Sequence, residues 1–249
     1  MTRGLAIITW VELKLLAREP MTVVFVVVLP LIVLYILNGV FGNQPDPSVY
    51  AGLGPVDFYL PAYVALTVAT VGILPLPVHL AGYREQGVLR RFRASALSPA
   101  SILGAHVVIA AALGAVGAIL LTLLSTVGYD GSMPADWPGV LAAFVLVTLA
   151  FAALGILLGV VLPTARAAQG LGVLLFFVFM MLGGAGPPPE VLPSAMQTLG
   201  DLVPLTYAAR LLRGPWLDMG WDWPAAAVMA GMLVVASALA WWRLRQLEL

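Results

Sequence analysis

Long apolar runs separated by short polar stretches dominate the chain. The runs cover residues 21–41, 58–80, 100–127, 139–162, 169–186 and 224–242. Each is continuously apolar rather than alternating, and each is long enough for a helix that crosses roughly 30 Å of hydrocarbon. The period-2 pattern of a membrane β-barrel is missing. The pattern therefore predicts an all-α polytopic membrane protein with six transmembrane helices. Pro30, Pro61, Pro75 and Pro77 fall inside the first two runs and predict kinks or broken turns that neighbouring helices must satisfy. Two further segments are amphipathic. Residues 1–20 carry Arg3, Glu12, Lys14, Arg18 and Glu19 ahead of the first run, which fits a helix lying along the membrane surface and not a cleaved signal. Residues 187–223 are long for a loop without structure of its own. Leu192, Met196 and Leu199, then Tyr207, Leu211 and Leu212, stand at helical spacing. They predict one or two short helices between spans five and six, dipping into the membrane or capping the bundle.

Composition strengthens the membrane reading. Apolar residues make up 61% of the chain and the mean hydropathy is +1.01, more than a soluble core of this length needs. The net charge is zero, so bulk charge points to no partner and gives no reason to expect nucleic acid. There is no cysteine, which excludes disulfides, thiol catalysis and cysteine metal sites. The placement of charge is more informative. With the N-terminus inside, Arg3, Lys14, Arg18, Arg84, Arg90, Arg91, Arg93, Arg166, Arg243 and Arg245 all fall on the cytoplasmic side, and only Arg210 and Arg213 fall outside. Most acids, from Asp46 to Asp222, lie outside. That split gives six spans with both termini cytoplasmic, and the tryptophans gather near span ends as interfacial indoles do. Arginine far outnumbers lysine, and Ala, Gly, Val and Pro are frequent, a composition typical of a high-GC bacterial genome. The chain reads as one domain, residues 1–249, with no internal repeat.

The chemistry-bearing candidates are few. Residues 81–99 concentrate Arg84, Glu85, Arg90, Arg91 and Arg93 between two apolar runs. A short helix over 85–93 would place Val88, Leu89 and Phe92 on one face with arginines around it. Topology and attraction to anionic lipid, at about 1 kcal/mol per basic residue, explain such a cluster. Docking of the apolar face into a groove on a cytoplasmic partner explains it equally. His79 and His106 lack neighbouring acids and make a poor metal site. Ser95, Ser98 and Ser101 suit helix capping, and Ser98 before Pro99 is a good start for span three. Gly155 and Gly159 form a G-x-x-x-G, whose default role is packing within the subunit. No G-x-x-x-x-G-K-[ST] loop is present, so the chain does not cradle ATP by that motif. No Asp or Glu lies deep in a predicted span, which argues against an ion-coupled carrier.

YREQGVLRRFRASALSPASILGAHVV, residues 83–108, resembles the signature of ABC-2 type transporter permeases: Glu85, Gly87, the apolar pair Val88–Leu89, the basic pair Arg90–Arg91 and a Ser-Pro before span three. PPPEVLPSAMQTLGDLVPLTYAARLLRG, residues 187–214, is similar to the family's second signature, with Pro193, Gln197, Pro204 to Tyr207 and Leu212-Arg213-Gly214. AREP at 17–20 is a weaker third match. Ala96 stands where a proline is frequent, and the triple proline 187–189 is unusual, which leaves local loop geometry open. The resemblance implies a six-span subunit that works as a dimer and docks a cytoplasmic ATP-binding subunit through the N-terminal helix and the 81–99 loop. Arg84, Glu85, Gly87, Leu89, Arg90, Arg91 and Phe92 are then the coupling candidates. Glu190, Asp201, Pro204, Tyr207, Arg210 and Arg213 are candidates for an external cap or gate, with Asp201 and Arg210 able to pair. ATP and magnesium would belong to the partner, and this chain would bind no cofactor and catalyse no reaction.

The function expected is that of the permease subunit of a bacterial plasma-membrane exporter. It would move a hydrophobic or amphipathic small molecule, drug-like or lipid, out of the cell, in contact with membrane lipids and a second permease subunit. Export of lipid-linked polysaccharide is the alternative within the family. A membrane-embedded enzyme or an anchor subunit is the alternative outside it.

Overall fold

The computed structural model describes residues 24, 28–41, 50, 52–87 and 99–247. Helix α1, Leu29–Phe41, belongs to the first predicted span. The proposed surface helix at 1–20 and residues 88–98, with Leu89, Arg90, Arg91 and Phe92, lie outside the described residues. Helices α2 (Pro55–Ile73), α3 (Pro75–Glu85), α4 (Pro99–Tyr129), α5 (Trp137–Val161) and α6 (Ala165–Leu182) follow. A 3₁₀ turn at Pro189–Val191, α7 (Ser194–Gly200), α8 (Pro204–Trp216) and α9 (Trp223–Leu247) complete the order. Among the described residues, five helical stretches are long and apolar enough to cross a membrane: Pro55–Glu85, Gly104–Tyr129, Trp137–Val161, Ala165–Leu182 and Trp223–Gln246. The protein is an all-α polytopic membrane protein.

α2 is the centre of the bundle. Every residue from Phe58 to Ile73 is buried, against α4, α5, α8 and α1. By contrast α4 and α9 turn Val116, Ile119, Leu123, Val234, Val235 and Leu239 outward. An apolar outer face of this kind suits lipid, where close van der Waals contact rather than water exclusion holds helices together. Glycine supplies that contact. The Gly72 carbonyl lies directly over Gly155, and a Cβ on Gly72 would meet the Phe151 carbonyl oxygen at 2.6 Å. A Cβ on Gly159 would meet that of Leu80 at 2.8 Å. The G-x-x-x-G of α5 thus packs within the subunit, against α2 and α3.

The second span is divided into two helices, one of the outcomes its prolines predict, and two other boundaries differ from the sequence expectation. Leu74 leaves the helical region at φ −106°, ψ −81°, and Pro75 and Pro77 behind it have no N–H to continue the ladder. Pro61, in contrast, stays inside α2. The fifth span runs four residues earlier than 169–186. Thr164 caps its start by accepting from the Ala167 N–H, and Gly183 ends it, with Gly184 at φ +82° just beyond. Finally, no helix begins at Glu85. That residue ends α3, and Gly87 turns the chain away in the left-handed region at φ +67°, a conformation open to glycine.

Candidate functional site

Charged residues gather at the two ends of the bundle. Arg84, Glu85, Arg166, Arg243 and Arg245 stand at one end, called here the basic end. Asp57, Asp130, Asp136, Arg213 and Asp222 stand at the other. The coupling candidates belong to the first and the cap candidates to the second.

At the basic end, Arg84 and Glu85 occupy the last turn of α3, and both reach across to the connection between α5 and α6. Arg84 Nη1 donates to the carbonyls of Gly159 and Leu162, each at 3.0 Å. The last carbonyls of a helix have no intrahelical donor, and its C-terminus carries partial negative charge, so a guanidinium suits that position. Glu85 Oε2 accepts from the Ala165 N–H at 3.1 Å. Ala165 opens α6, where N–H groups are unpaired and a carboxylate is favoured. Neighbouring residues of opposite charge therefore bind two helix ends of opposite polarity. Arg245 lies over the Trp241 ring at 5.0 Å, and Arg243 donates to Gln246. His79 bonds the Pro75 carbonyl oxygen through Nδ1 at 2.7 Å, and the buried His106 meets the Tyr83 ring edge to face. Both histidines are packed into the helices.

At the other end, α8 forms a lid on the bundle. Pro204 opens it at a position where its fixed φ fits and its missing N–H costs nothing. Leu205, Leu211, Leu212 and Trp216 are buried beneath it. Arg213 holds the lid to α2: Nη2 donates to the Phe58 carbonyl at 3.0 Å, and the guanidinium lies 4.0 Å from the centre of the Phe58 ring. Main-chain bonds from Ala135 to Trp216 and from Asp136 to Pro215 hold its far end to the turn before α5. Trp216 Nε1 donates to the Ser132 carbonyl at 3.1 Å, and Ser132 in turn donates twice to Asp57 Oδ1.

The expected pairing of Asp201 with Arg210 is not formed. Arg210 pairs with Asp222 at 2.9 Å, and the Asp201 carbonyl accepts from the Tyr207 hydroxyl at 2.7 Å. Both ends of α8 are thereby fixed, by Tyr207 and Arg210 to flanking turns and by Arg213 to the core. Glu190 falls in the 3₁₀ turn. Met196 and Leu199 on α7 point outward, half exposed, so α7 does not cover the core as α8 does. Asp57, Ser132 and Asp222 are contributors that the sequence did not single out. A cavity of about 260 Å³ opens between α4, α5 and α9, lined by Val107, Leu149, Ile156, Leu233, Ser237 and Trp241 among others. It lacks the convergent polar groups that orient a ligand.

The model of the ABC-2 type transporter family matches residues 3–216, a range that takes in both signature segments. The putative transport permease YvfS of Bacillus subtilis (strain 168) is 24% identical over 209 residues, covering 82% of this chain and 83% of its own. The daunorubicin resistance ABC transporter permease protein DrrB1 of Streptomyces coeruleorubidus is 26% identical over 244 residues, covering 92% of this chain and 82% of its own. A multi-pass helical membrane protein matched by one family model over most of its length belongs to that family, and this chain is an ABC-2 type transporter permease.

Proposed function

We propose that the chain is the transmembrane subunit of an ATP-driven exporter of a hydrophobic or amphipathic small molecule. It works as a single transmembrane domain beside a second permease subunit, in a bacterial plasma membrane with both termini cytoplasmic. ATP and magnesium bind a separate P-loop subunit. That partner engages the 81–99 loop, with Leu89 and Phe92 as its apolar contacts and Arg90 and Arg91 beside them, and the surface helix at 1–20. The observation that carries this reading is the match to the family over residues 3–216. The absence of Asp, Glu, Lys and Arg from the middle of the described spans supports an apolar cargo. The drug-resistance name of one relative makes daunorubicin the first probe. The α8 lid, held by Tyr207, Arg210 and Arg213, is the candidate external gate.

The test is co-purification of the candidate ATP-binding subunit with this chain in lipid nanodiscs, followed by its ATPase activity. The wild type should retain the partner. The double substitution Leu89→Asp and Phe92→Asp should release it or abolish lipid-dependent hydrolysis, because two carboxylates would have to be buried in an apolar groove. Retention of the partner with full activity in the double variant would remove the loop from the interface. Failure of any P-loop subunit to associate with the wild type would overturn the exporter reading.

A further inference from the structure

The coupling candidates divide into two groups. Leu89 to Phe92 follow the turn at Gly87, whereas the side chains of Arg84 and Glu85 are already engaged inside the subunit. We propose that Arg84 and Glu85 form a latch that makes the α5–α6 connection move with the partner-facing loop. Displacement of residues 88–98 would then carry the basic ends of α3, α5 and α6 as one block, hinged at Leu74. This inference rests on the proposed docking of an ATP-binding subunit at that loop.

Four features carry it. First, the junction of α3 with α2 is a weak point: Leu74 leaves helical geometry and two prolines follow, with the bonds from Leu74 N–H to Thr70 at 2.9 Å and from Val78 N–H to Leu74 at 3.4 Å crossing it. Second, α3 is bonded also to what lies beside it. Arg84 holds the end of α5 and Glu85 the start of α6, and only residues 162–164 separate those two helices. Third, the contact is close along its length. Leu80 fills the space over Gly159, and a Cβ on Gly82 would lie 3.8 Å from that of Ala165. Fourth, the latch stands immediately before the Gly87 turn from which the arginine-rich loop departs. A push on that loop reaches the latch directly on the α3 side, as it reaches α4 at Pro99 on the other. All three bonds are charge-assisted and terminate on helix ends that gain from charge of that sign. They therefore resist separation more than neutral contacts would.

The test uses the full complex of permease and ATP-binding subunit in nanodiscs. The chain has no cysteine, so introduced cysteines take spin labels without background. Gln86→Cys with Met219→Cys reports motion of the input, and Arg166→Cys with Met219→Cys reports motion of the output; all three positions are exposed. In the otherwise unaltered chain, trapping with ATP and vanadate should shift both distances. In Arg84→Ala/Glu85→Ala the input shift should persist, while the population showing the output shift falls at least about tenfold, the weight of one of the three charge-assisted hydrogen bonds removed. Glu85→Gln keeps an acceptor oxygen for Ala165 and should retain most of the output shift, whereas Glu85→Ala should not. That pair makes the same comparison should the double variant fail to assemble. A full output shift in the latch variants would overturn the proposal. Absence of a nucleotide-dependent input shift in the unaltered chain would instead overturn the docking of the ATP-binding subunit at this loop, and with it the latch's role.

Discussion

Gly155→Ala is the sharpest probe of how the central helix is held. The added methyl would be driven into the Gly72 carbonyl oxygen, with the Gly72 carbonyl carbon at 3.0 Å and Leu76 Cδ2 at 3.2 Å. Leu76 can rotate away, but a main-chain carbonyl inside α2 cannot. The two helices must therefore separate, and that loosens every contact between α5 and α2. Overpacking of this kind costs about 3 kcal/mol. Alanine recovers about 1 kcal/mol through its better helix propensity. The net loss is about 2 kcal/mol, or a Tm lower by about 4–8 °C for a chain of this size. Gly231→Ala and Gly170→Ala are the controls. Both glycines are in helices, and a methyl added at either would meet no atom within 4 Å beyond its own helix, so only the propensity gain remains and Tm should hold or rise. Thermal unfolding in nanodiscs of one composition compares the three. Equal Tm values for Gly155→Ala and Gly231→Ala would refute the close approach of α5 to α2.

Other substitutions test the lid and the helix ends. Arg213→Ala removes a charged hydrogen bond and a cation–π contact, together about 3 kcal/mol. Hydrogen exchange at residues 204–216 should quicken, and unchanged protection would show that Arg213 does not hold α8. Arg213→Lys should fall between the two, because an ammonium can reach the Phe58 carbonyl without lying flat on its ring. Asp222→Ala should cost about 1–2 kcal/mol, chiefly by losing the bond that Ala225 N–H donates to Oδ1 at the start of α9. Asp222→Asn keeps that acceptor and gives up only the pair with the half-exposed Arg210, worth less than about 1 kcal/mol. Melting at low and high salt separates the two contributions. A strong salt dependence in the wild type that vanishes in Asp222→Asn would assign the stability to the ion pair instead.

The spans could be read from the sequence because their cause is local: twenty apolar residues in a row have few alternatives in a bilayer. The glycine pair of α5 and the proline break in the second span were readable for the same reason. Errors arose where local signals compete. Arg166 fell before the expected span 169–186, yet the first turn of α6 accepts it because Thr164 and Glu85 cap the helix from outside the run. Asp201 stands nine positions before Arg210 and Asp222 twelve after it, and the chain reversal after α8 gives the pair to Asp222. Apolar spacing in α7 and α8 looked alike, but only α8 lies over α2, so burial separates Leu211 from Leu199.

The polar contacts that fix both ends of the bundle were out of reach for a deeper reason. Arg84 binds the carbonyls of Gly159 and Leu162, Glu85 binds the N–H of Ala165, and Arg213 binds the carbonyl of Phe58. Every acceptor or donor on the far side belongs to the main chain. Such atoms occur at every residue, so no residue type announces them, and the pairs lie 75 to 155 positions apart. What the sequence does show is one half of each bond: an arginine or glutamate at the end of an apolar run. In water such a residue needs no partner. At the edge of a bilayer, exposed helix ends and isolated charges both carry a solvation cost, and joining them relieves both. Arg84, Glu85 and Arg213 each stand where a charged side chain can meet an open helix end or a main-chain carbonyl. The same requirement that makes them rare in the chain makes them points at which its helices are tied together.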